Sequence, residues 1–198
     1  MMPSDMRPAG IVLAPGASAG RDQPALVAID DAATSRGLLV ERIDFPYRLA
    51  GRRSPDPPHV LVATVREAGQ RLAERASVRP EQIVLGGRSL GGRMCSVAVA
   101  EGQPAAALVL VSYPLHPPGR PERLRDSHFP DVGVPCLFIS GTRDAFASPD
   151  ELEASSAAIR APVSHSWIDG GDHGLRRRDT EVADLVGDWL GSLGSSTD

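Results

Sequence analysis

The chain has 198 residues, of which 41% are hydrophobic, and this is typical of one globular domain that buries its own core. A net charge of −4 excludes the strongly basic surface that nucleic acids and anionic membranes require, so we expect neither as a partner. We expect one domain over residues 1–198, loosely ordered at 1–8 and 194–198, where small and polar residues dominate.

Apolar runs and helical patterns then alternate along the chain. Continuous apolar runs closed by turn residues predict strands, most of them buried on both faces. The apolar run nearest the N-terminus is too short for a signal peptide or a membrane span, which predicts a cytoplasmic protein. The predicted strands are Ile11–Ala14, a second from Leu38 to near Phe45, a third that begins at Ile83, Ala106–Val111, Pro135–Ser140 and an edge strand at His165–Ile168.

Capping residues, prolines and apolar side chains at helical spacing mark the helices between these strands. Ser148-Pro149-Asp150-Glu151 has the pattern of a capping box, so a helix begins there and is stopped by Pro162. Two proline-rich segments, 45–58 and 113–133, are predicted to be loops, the first of them long and rigid. The other predicted helices are one capped by Asp22 and ended by Gly37, one carrying Leu61 and Leu72, one that follows Ser89 and ends near Gly102, and one over Val182–Leu193.

This alternation of about six strands with about five helices predicts an α/β fold, a doubly wound and mostly parallel sheet flanked by helices. In such sheets, ligands bind beyond the carboxyl ends of the strands. Functional residues are therefore expected in the loops that follow the strands.

The stretch Ile83–Met94 is an apolar run that breaks into glycines around one serine and resumes as a helical pattern. Its centre, Gly87-Arg88-Ser89-Leu90-Gly91, has the motif G-x-S-x-G, which is typical of a strand-to-helix turn that exposes a nucleophilic serine. The motif alone arises by chance in about one such chain in five. A P-loop is disfavoured because Gly92-Arg93 stands where lysine and serine or threonine are required, and no dinucleotide-binding G-x-G-x-x-G is formed.

Ser89, Asp144 and His173 each follow the carboxyl end of a different predicted strand, in the order serine, aspartate, histidine. This arrangement predicts a catalytic triad. Ser89 would attack an acyl carbon, His173 would take and return the proton, and Asp144 would hold the imidazole.

Residues beside the triad are candidates for the rest of the site. The amide of Leu90, at the start of a helix, is one expected donor to an oxyanion. The second is expected in the loop after the first strand, at Ala17, with Ser18 as the second choice. Tyr47 and Tyr113 follow strand ends, where they either bind substrate or pack as loop aromatics.

Other ionisable residues are weaker candidates. Asp169 follows an edge strand and Asp172 adjoins His173, so neither displaces the predicted triad acid. The remaining histidines form no metal-binding pattern with the cysteines, and we expect no metal and no cofactor. Cys95 and Cys136 fall in apolar runs, which predicts buried thiols without a disulfide.

Several arginines could meet an anionic ligand. We expect Arg88 and Arg93 to anchor loops through hydrogen bonds rather than to touch substrate. Arg176-Arg177-Arg178 is expected to be a solvated face, with an anionic substrate as the alternative.

The chain resembles the α/β-hydrolases, and among them the small lidless group similar to dienelactone hydrolases. The resemblance covers nearly the whole chain and implies a serine hydrolase with the triad Ser89, Asp144 and His173. This family commonly has His-Gly in the oxyanion loop, where the chain has Pro15-Gly16. The segments that carry the resemblance are Gly86–Arg93, Phe45–Tyr47, Arg52–Pro57, Gly141–Asp144 and Asp172–Gly174.

Two functions are open at this point. The first is a serine hydrolase that cleaves a small-molecule ester, thioester or lactone through an acyl-enzyme intermediate. The second is a non-catalytic α/β-hydrolase-like binding or scaffold protein, which the complete triad disfavours. The residues leave the bond type and the oligomeric state open.

Overall fold

The computed structural model describes residues 7–193. Of the ends expected to be loosely ordered, 1–8 and 194–198, all but residues 7 and 8 lie outside the described residues. Six strands form one sheet, and every neighbouring pair in it is parallel. The strands are β1 (Gly10–Ala14), β2 (Leu39–Arg42), β3 (Ile83–Arg88), β4 (Ala107–Val111), β5 (Cys136–Gly141) and β6 (Val163–Ile168). Their order across the sheet is β2-β1-β3-β4-β5-β6.

Helices cover both faces of the sheet. The α-helices are α1 (Pro24–Ser35), α2 (Pro46–Leu49), α3 (Pro58–Ala76), α4 (Leu90–Ala100), α5 (Pro149–Ser156) and α6 (Asp179–Ser192). Helices α1 and α6 pack together over one face, while α3 and α4 pack over the other. The predicted doubly wound α/β fold is confirmed, and every strand pairing in the described sheet is parallel.

Strand β1 shows why continuous apolar runs form this sheet. Ile11 and Leu13 belong to the core under α1 and α6, whereas Val12 and Ala14 belong to the core under α3 and α4. Successive side chains of a strand point to opposite faces, so a strand covered on both sides must be apolar throughout. Full burial of each larger side chain contributes about 1.5–3 kcal/mol.

Some predicted boundaries were wrong for physical reasons. Asp22 does not cap α1; its carboxylate pairs with Arg42 at 3.1 Å, and Gln23 occupies the cap position without a capping hydrogen bond. The segment expected to be one long loop contains the short helix α2, because Pro46 suits the first helical turn. The capping box is confirmed, with Ser148 N–H donating to Glu151 Oε2 at 2.8 Å, but α5 already ends at Ser156.

The order of the strands determines where a site can form. The chain leaves β1 toward β2 on one side and returns to β3 on the other. A crevice opens beyond the carboxyl ends of the strands at such a switch point, between the loops after β1 and β3. No helix within residues 7–193 has the length and apolar character needed to cross a bilayer.

Candidate active site

Ser89 lies in a sharp turn between β3 and α4, with φ 51° and ψ −115°. Positive φ is uncommon for residues other than glycine and marks a strained backbone. A Cβ atom on Gly87 or Gly91 would collide with the carbonyl oxygen of Ala14, at the end of β1. Glycine is therefore required on both sides of the serine so that the first turn of α4 can pack against β1.

The side chains of Ser89, His173 and Asp144 form a continuous hydrogen-bonded chain. Ser89 Oγ lies 2.9 Å from His173 Nε2, and His173 Nδ1 lies 2.8 Å from Asp144 Oδ2. A carboxylate can only accept, so Nδ1–H donates to Asp144, and Nε2 is left to accept the serine proton. The Asp144 side chain is 0% exposed, which keeps water from competing for this bond. This arrangement is suited to activating the serine hydroxyl for nucleophilic attack.

The loops that carry the acid and the histidine are tied together. The amide of Arg143 donates to the carbonyl of Gly171 at 2.9 Å, joining the loop after β5 to the loop after β6. The amide of Phe146 donates to Asp144 Oδ1 at 2.8 Å, and its ring stacks on His173 with centroids 3.9 Å apart. These contacts orient the imidazole from behind and from one face.

Arg88, which ends β3 directly before Ser89, anchors the loop after β6 that carries His173. Its guanidinium donates to the backbone carbonyl of His173, so its predicted role as a loop anchor is confirmed. Burial lowers the pKa of Arg88, while the nearby carboxylates, Asp144 foremost, act in the opposite direction.

The predicted oxyanion donors lie on either side of the serine. The amide of Leu90 is at the N-terminus of α4, and Ala17 lies in the loop after β1. Within residues 7–193 neither amide has a hydrogen-bond acceptor, so both are available to a ligand. The Pro15-Gly16 loop is held in place because the amide of Gly16 donates to Gln23 Oε1 at 3.1 Å and the Tyr47 hydroxyl donates to the Ala17 carbonyl at 2.7 Å.

A cavity of about 400 Å³ opens beside the serine. Tyr47 and Tyr113 do not line it, because both are fully buried at 0% exposure. The Tyr113 hydroxyl donates to the Arg125 carbonyl at 2.8 Å, so each tyrosine holds a loop that does line the cavity. The lining residues are Gly16, Ala17, Ser18, Pro55, Arg88, Ser89, Leu90, Arg93, Pro114, Arg125, Phe146 and His173.

The rival acids and histidines lie elsewhere. Asp169 and Asp172 are exposed, and His173 bonds to neither. Two further Ser–His contacts, Ser96–His128 at 2.8 Å and Ser156–His165 at 3.0 Å, are structural bonds outside the cavity.

The remaining residue predictions concern metals, thiols and exposed arginines. In the part of the chain that the structure describes, no cluster of three or more histidine, cysteine or acidic residues could hold a metal ion. Cys95 and Cys136 are free, and their predicted burial is confirmed. Residues 176–178 are exposed and do not line the cavity.

Comparison with known families agrees with this geometry. Residues 7–188 match the family described as an alpha/beta hydrolase domain. The chain belongs to the α/β-hydrolases.

Several solved structures superpose on most of the chain. An alpha-beta serine hydrolase homologue from Coxiella burnetii is 17% identical, covering 93% of this chain and 86% of that one, with a TM-score of 0.76. The dienelactone hydrolase from Anabaena variabilis is 21% identical over 93% and 87% of the two chains, with a TM-score of 0.75. Est1E from Butyrivibrio proteoclasticus is 14% identical over 95% and 89%, also at 0.75. At these identities the likeness shows a shared fold.

Proposed function

We propose that this α/β-hydrolase is a serine hydrolase that cleaves a carboxylic ester or a related thioester or lactone through an acyl-enzyme on Ser89. One observation carries the proposal: the hydrogen-bonded chain from Ser89 through His173 to Asp144 ends at a cavity large enough for a small acyl compound.

The mechanism assigns each group one task. His173 Nε2 takes the hydroxyl proton as Ser89 Oγ bonds to the acyl carbon, and the amides of Leu90 and Ala17 stabilise the oxyanion that forms. The carbon–leaving-group bond breaks as His173 returns the proton to the leaving group. Water, activated by the same histidine, then attacks the acyl-enzyme and releases the acid and the free serine. Asp144 stabilises the imidazolium in both halves.

The size and position of the cavity favour small acyl substrates. The fold similarity to dienelactone hydrolase and to a serine hydrolase homologue supports the same class of reaction. A binding or scaffold protein would not need a strained serine aligned with a buried His–Asp pair.

The direct test is turnover of short 4-nitrophenyl esters by the wild type and by Ser89→Ala, His173→Gln and Asp144→Asn. We expect measurable hydrolysis by the wild type and a loss of kcat of at least about 1000-fold in Ser89→Ala and His173→Gln. Circular dichroism would verify that each variant is folded. A folded wild type that turns over no short ester, thioester or lactone would favour the scaffold function.

A further inference from the structure

The loop after β1 carries a proposed oxyanion donor but has few side chains to hold it. Ala17 and Ser18 are exposed, and neither side chain is large enough to pack firmly. Within residues 7–193 their amides have no hydrogen-bond acceptor. A group that stabilises a transition state must be held within about 0.5 Å of its productive position by its surroundings. The loop therefore depends on hydrogen bonds from other residues for its shape.

Three hydrogen bonds fix the peptide groups that meet at Ala17. The amide of Gly16 donates to Gln23 Oε1 at 3.1 Å, and the carbonyl of Gly16 accepts from the amide of Ala19 at 3.1 Å. The carbonyl of Ala17 accepts from the Tyr47 hydroxyl at 2.7 Å. The carbonyl and the N–H of a planar trans peptide point in opposite directions, so a bond on the carbonyl also sets the direction of the N–H. Of the three partners, Tyr47 alone comes from beyond the loop and the start of α1.

Tyr47 is itself held firmly. Its side chain is 0% exposed, and its ring stacks on Phe45 with the centroids 6.2 Å apart. Its backbone carbonyl accepts from the amide of Arg52 at 2.8 Å, in the segment that contributes Pro55 to the cavity wall. Burial raises the pKa of Tyr47, so its hydroxyl keeps the proton that it donates. A carbonyl can only accept, and the direction of the bond to the loop is therefore settled.

We propose that Tyr47, supported by Gln23, is a positioning residue of the oxyanion hole. Its hydroxyl holds the Ala17 carbonyl so that the amide of this loop stays directed at the oxyanion that forms when Ser89 attacks. The inference rests on the proposed hydrolase function. Tyr47 does not line the cavity, so it acts through the loop and not on the substrate. The bond fixes the peptide that bears the Ser18 amide directly and the adjoining peptide through the shared Cα, so it serves whichever amide donates.

The test is Tyr47→Phe, which removes one hydroxyl and keeps the ring. Loss of a whole oxyanion donor lowers kcat on the order of 100- to 1000-fold, so a donor that is present but poorly aligned should cost about tenfold. On 4-nitrophenyl butyrate we expect this fall in kcat with KM within about twofold of the wild type, because the oxyanion forms in both halves of the reaction. The second-order rate of labelling by a fluorophosphonate should fall by a similar factor, since attack on phosphorus also places charge on an oxygen.

Tyr113→Phe is the matched control. It also removes a fully buried hydroxyl, which donates to the Arg125 carbonyl at 2.8 Å in a loop without an oxyanion donor. The two variants should lose similar stability in urea, while kcat in Tyr113→Phe stays within about threefold of the wild type. Gln23→Leu releases the Gly16 amide from the other side, and we expect it to lower kcat by about threefold or more.

The two proposals fail in different ways. If the wild type is labelled and active but folded Tyr47→Phe keeps kcat and the labelling rate within about twofold, or loses no more than Tyr113→Phe, the positioning role is wrong while the hydrolase stands. If Tyr47→Phe does not fold, Gln23→Leu decides, and an unchanged kcat in that folded variant contradicts the role of the anchors. If the folded wild type is neither labelled nor active on any ester, the hydrolase itself is wrong.

Discussion

At the scale of single residues, the reactivity of His173 depends on a neighbour that takes no part in the chemistry. The Phe146 ring lies against the imidazole at 3.9 Å, and the Phe146 amide holds one oxygen of Asp144. The stacked ring limits rotation of the imidazole and shields the His–Asp bond from water. Phe146 therefore acts as a positioning residue.

We expect Phe146→Ala to lower kcat by about tenfold, because the imidazole would sample orientations that cannot reach the serine proton. Phe146→Tyr preserves the ring and should retain most of the wild-type kcat. Steady-state kinetics on one ester would separate kcat from KM. An unchanged kcat in Phe146→Ala, with only KM raised, would instead make Phe146 a simple wall of the cavity.

At the scale of elements, the turn at Ser89 depends on close packing of α4 against β1. An added Cβ at Gly91 would meet the backbone of Ala14 and Pro15, which cannot move without shifting the strand. We expect Gly91→Ala to lower the free energy of unfolding by about 3 kcal/mol or more, or to prevent folding.

A second helix glycine provides the control. A Cβ at Gly187, in α6, would meet only the guanidinium of Arg36, the far end of a flexible side chain whose exposed ion pair with Asp188 contributes little to stability. Alanine is favoured over glycine in a helix by about 1 kcal/mol, so Gly187→Ala should change stability by no more than about that amount. Urea unfolding of both variants measures the difference. Equal effects at the two glycines would contradict the account of the turn.

The contact between α4 and the loop after β4 predicts a pH dependence of stability. His128 Nε2 and Ser96 Oγ form a hydrogen bond of 2.8 Å. Burial, and after it the positive charge of Arg93, lowers the pKa of His128 to about 4. The unfolded value is about 6.5, so between these values the unfolded chain binds more protons than the folded one. The contribution of neutral His128 is therefore complete above about pH 6.5 and is lost as the pH falls toward 4.

We expect the wild type to lose stability between pH 6.5 and 4 more steeply than His128→Gln, which cannot titrate. His59→Gln removes an exposed histidine and should follow the wild-type slope. Denaturant midpoints at several pH values would measure this. Parallel slopes for the wild type and His128→Gln would contradict a lowered pKa in the folded state.

At the scale of the whole molecule, the sequence predicts the strands and the residues that follow them, whereas the directions of side chains in the long loops depend on the assembled fold. The central strands β1, β3, β4 and β5 are short apolar runs, and Ser89, Asp144 and His173 each follow a predicted strand. The fold class and the meeting of these three residues could therefore be predicted from sequence. The rule that parallel strands present their carboxyl ends at one edge brings the three together. No packing detail was needed for that step.

Side-chain direction in the long loops could not be predicted in the same way. For Tyr47 and Tyr113 the sequence left substrate binding and packing both open. In the structure both side chains are buried, and each hydroxyl donates to a backbone carbonyl. Arg93 looked like a loop anchor, and Arg125 had no local signal at all within its proline-rich segment. Their positions depend on which loops meet across the switch point, which is a property of the assembled sheet.

The central claim is that Ser89 is a nucleophile activated by His173. Its most direct test is to treat the folded protein with a fluorophosphonate and locate the adduct by mass spectrometry of proteolytic peptides. We predict one adduct per chain on Ser89, absent in Ser89→Ala and strongly slowed in His173→Gln. A folded wild-type protein that remains unlabelled, or is labelled on another residue with Ser89 free, would contradict the account.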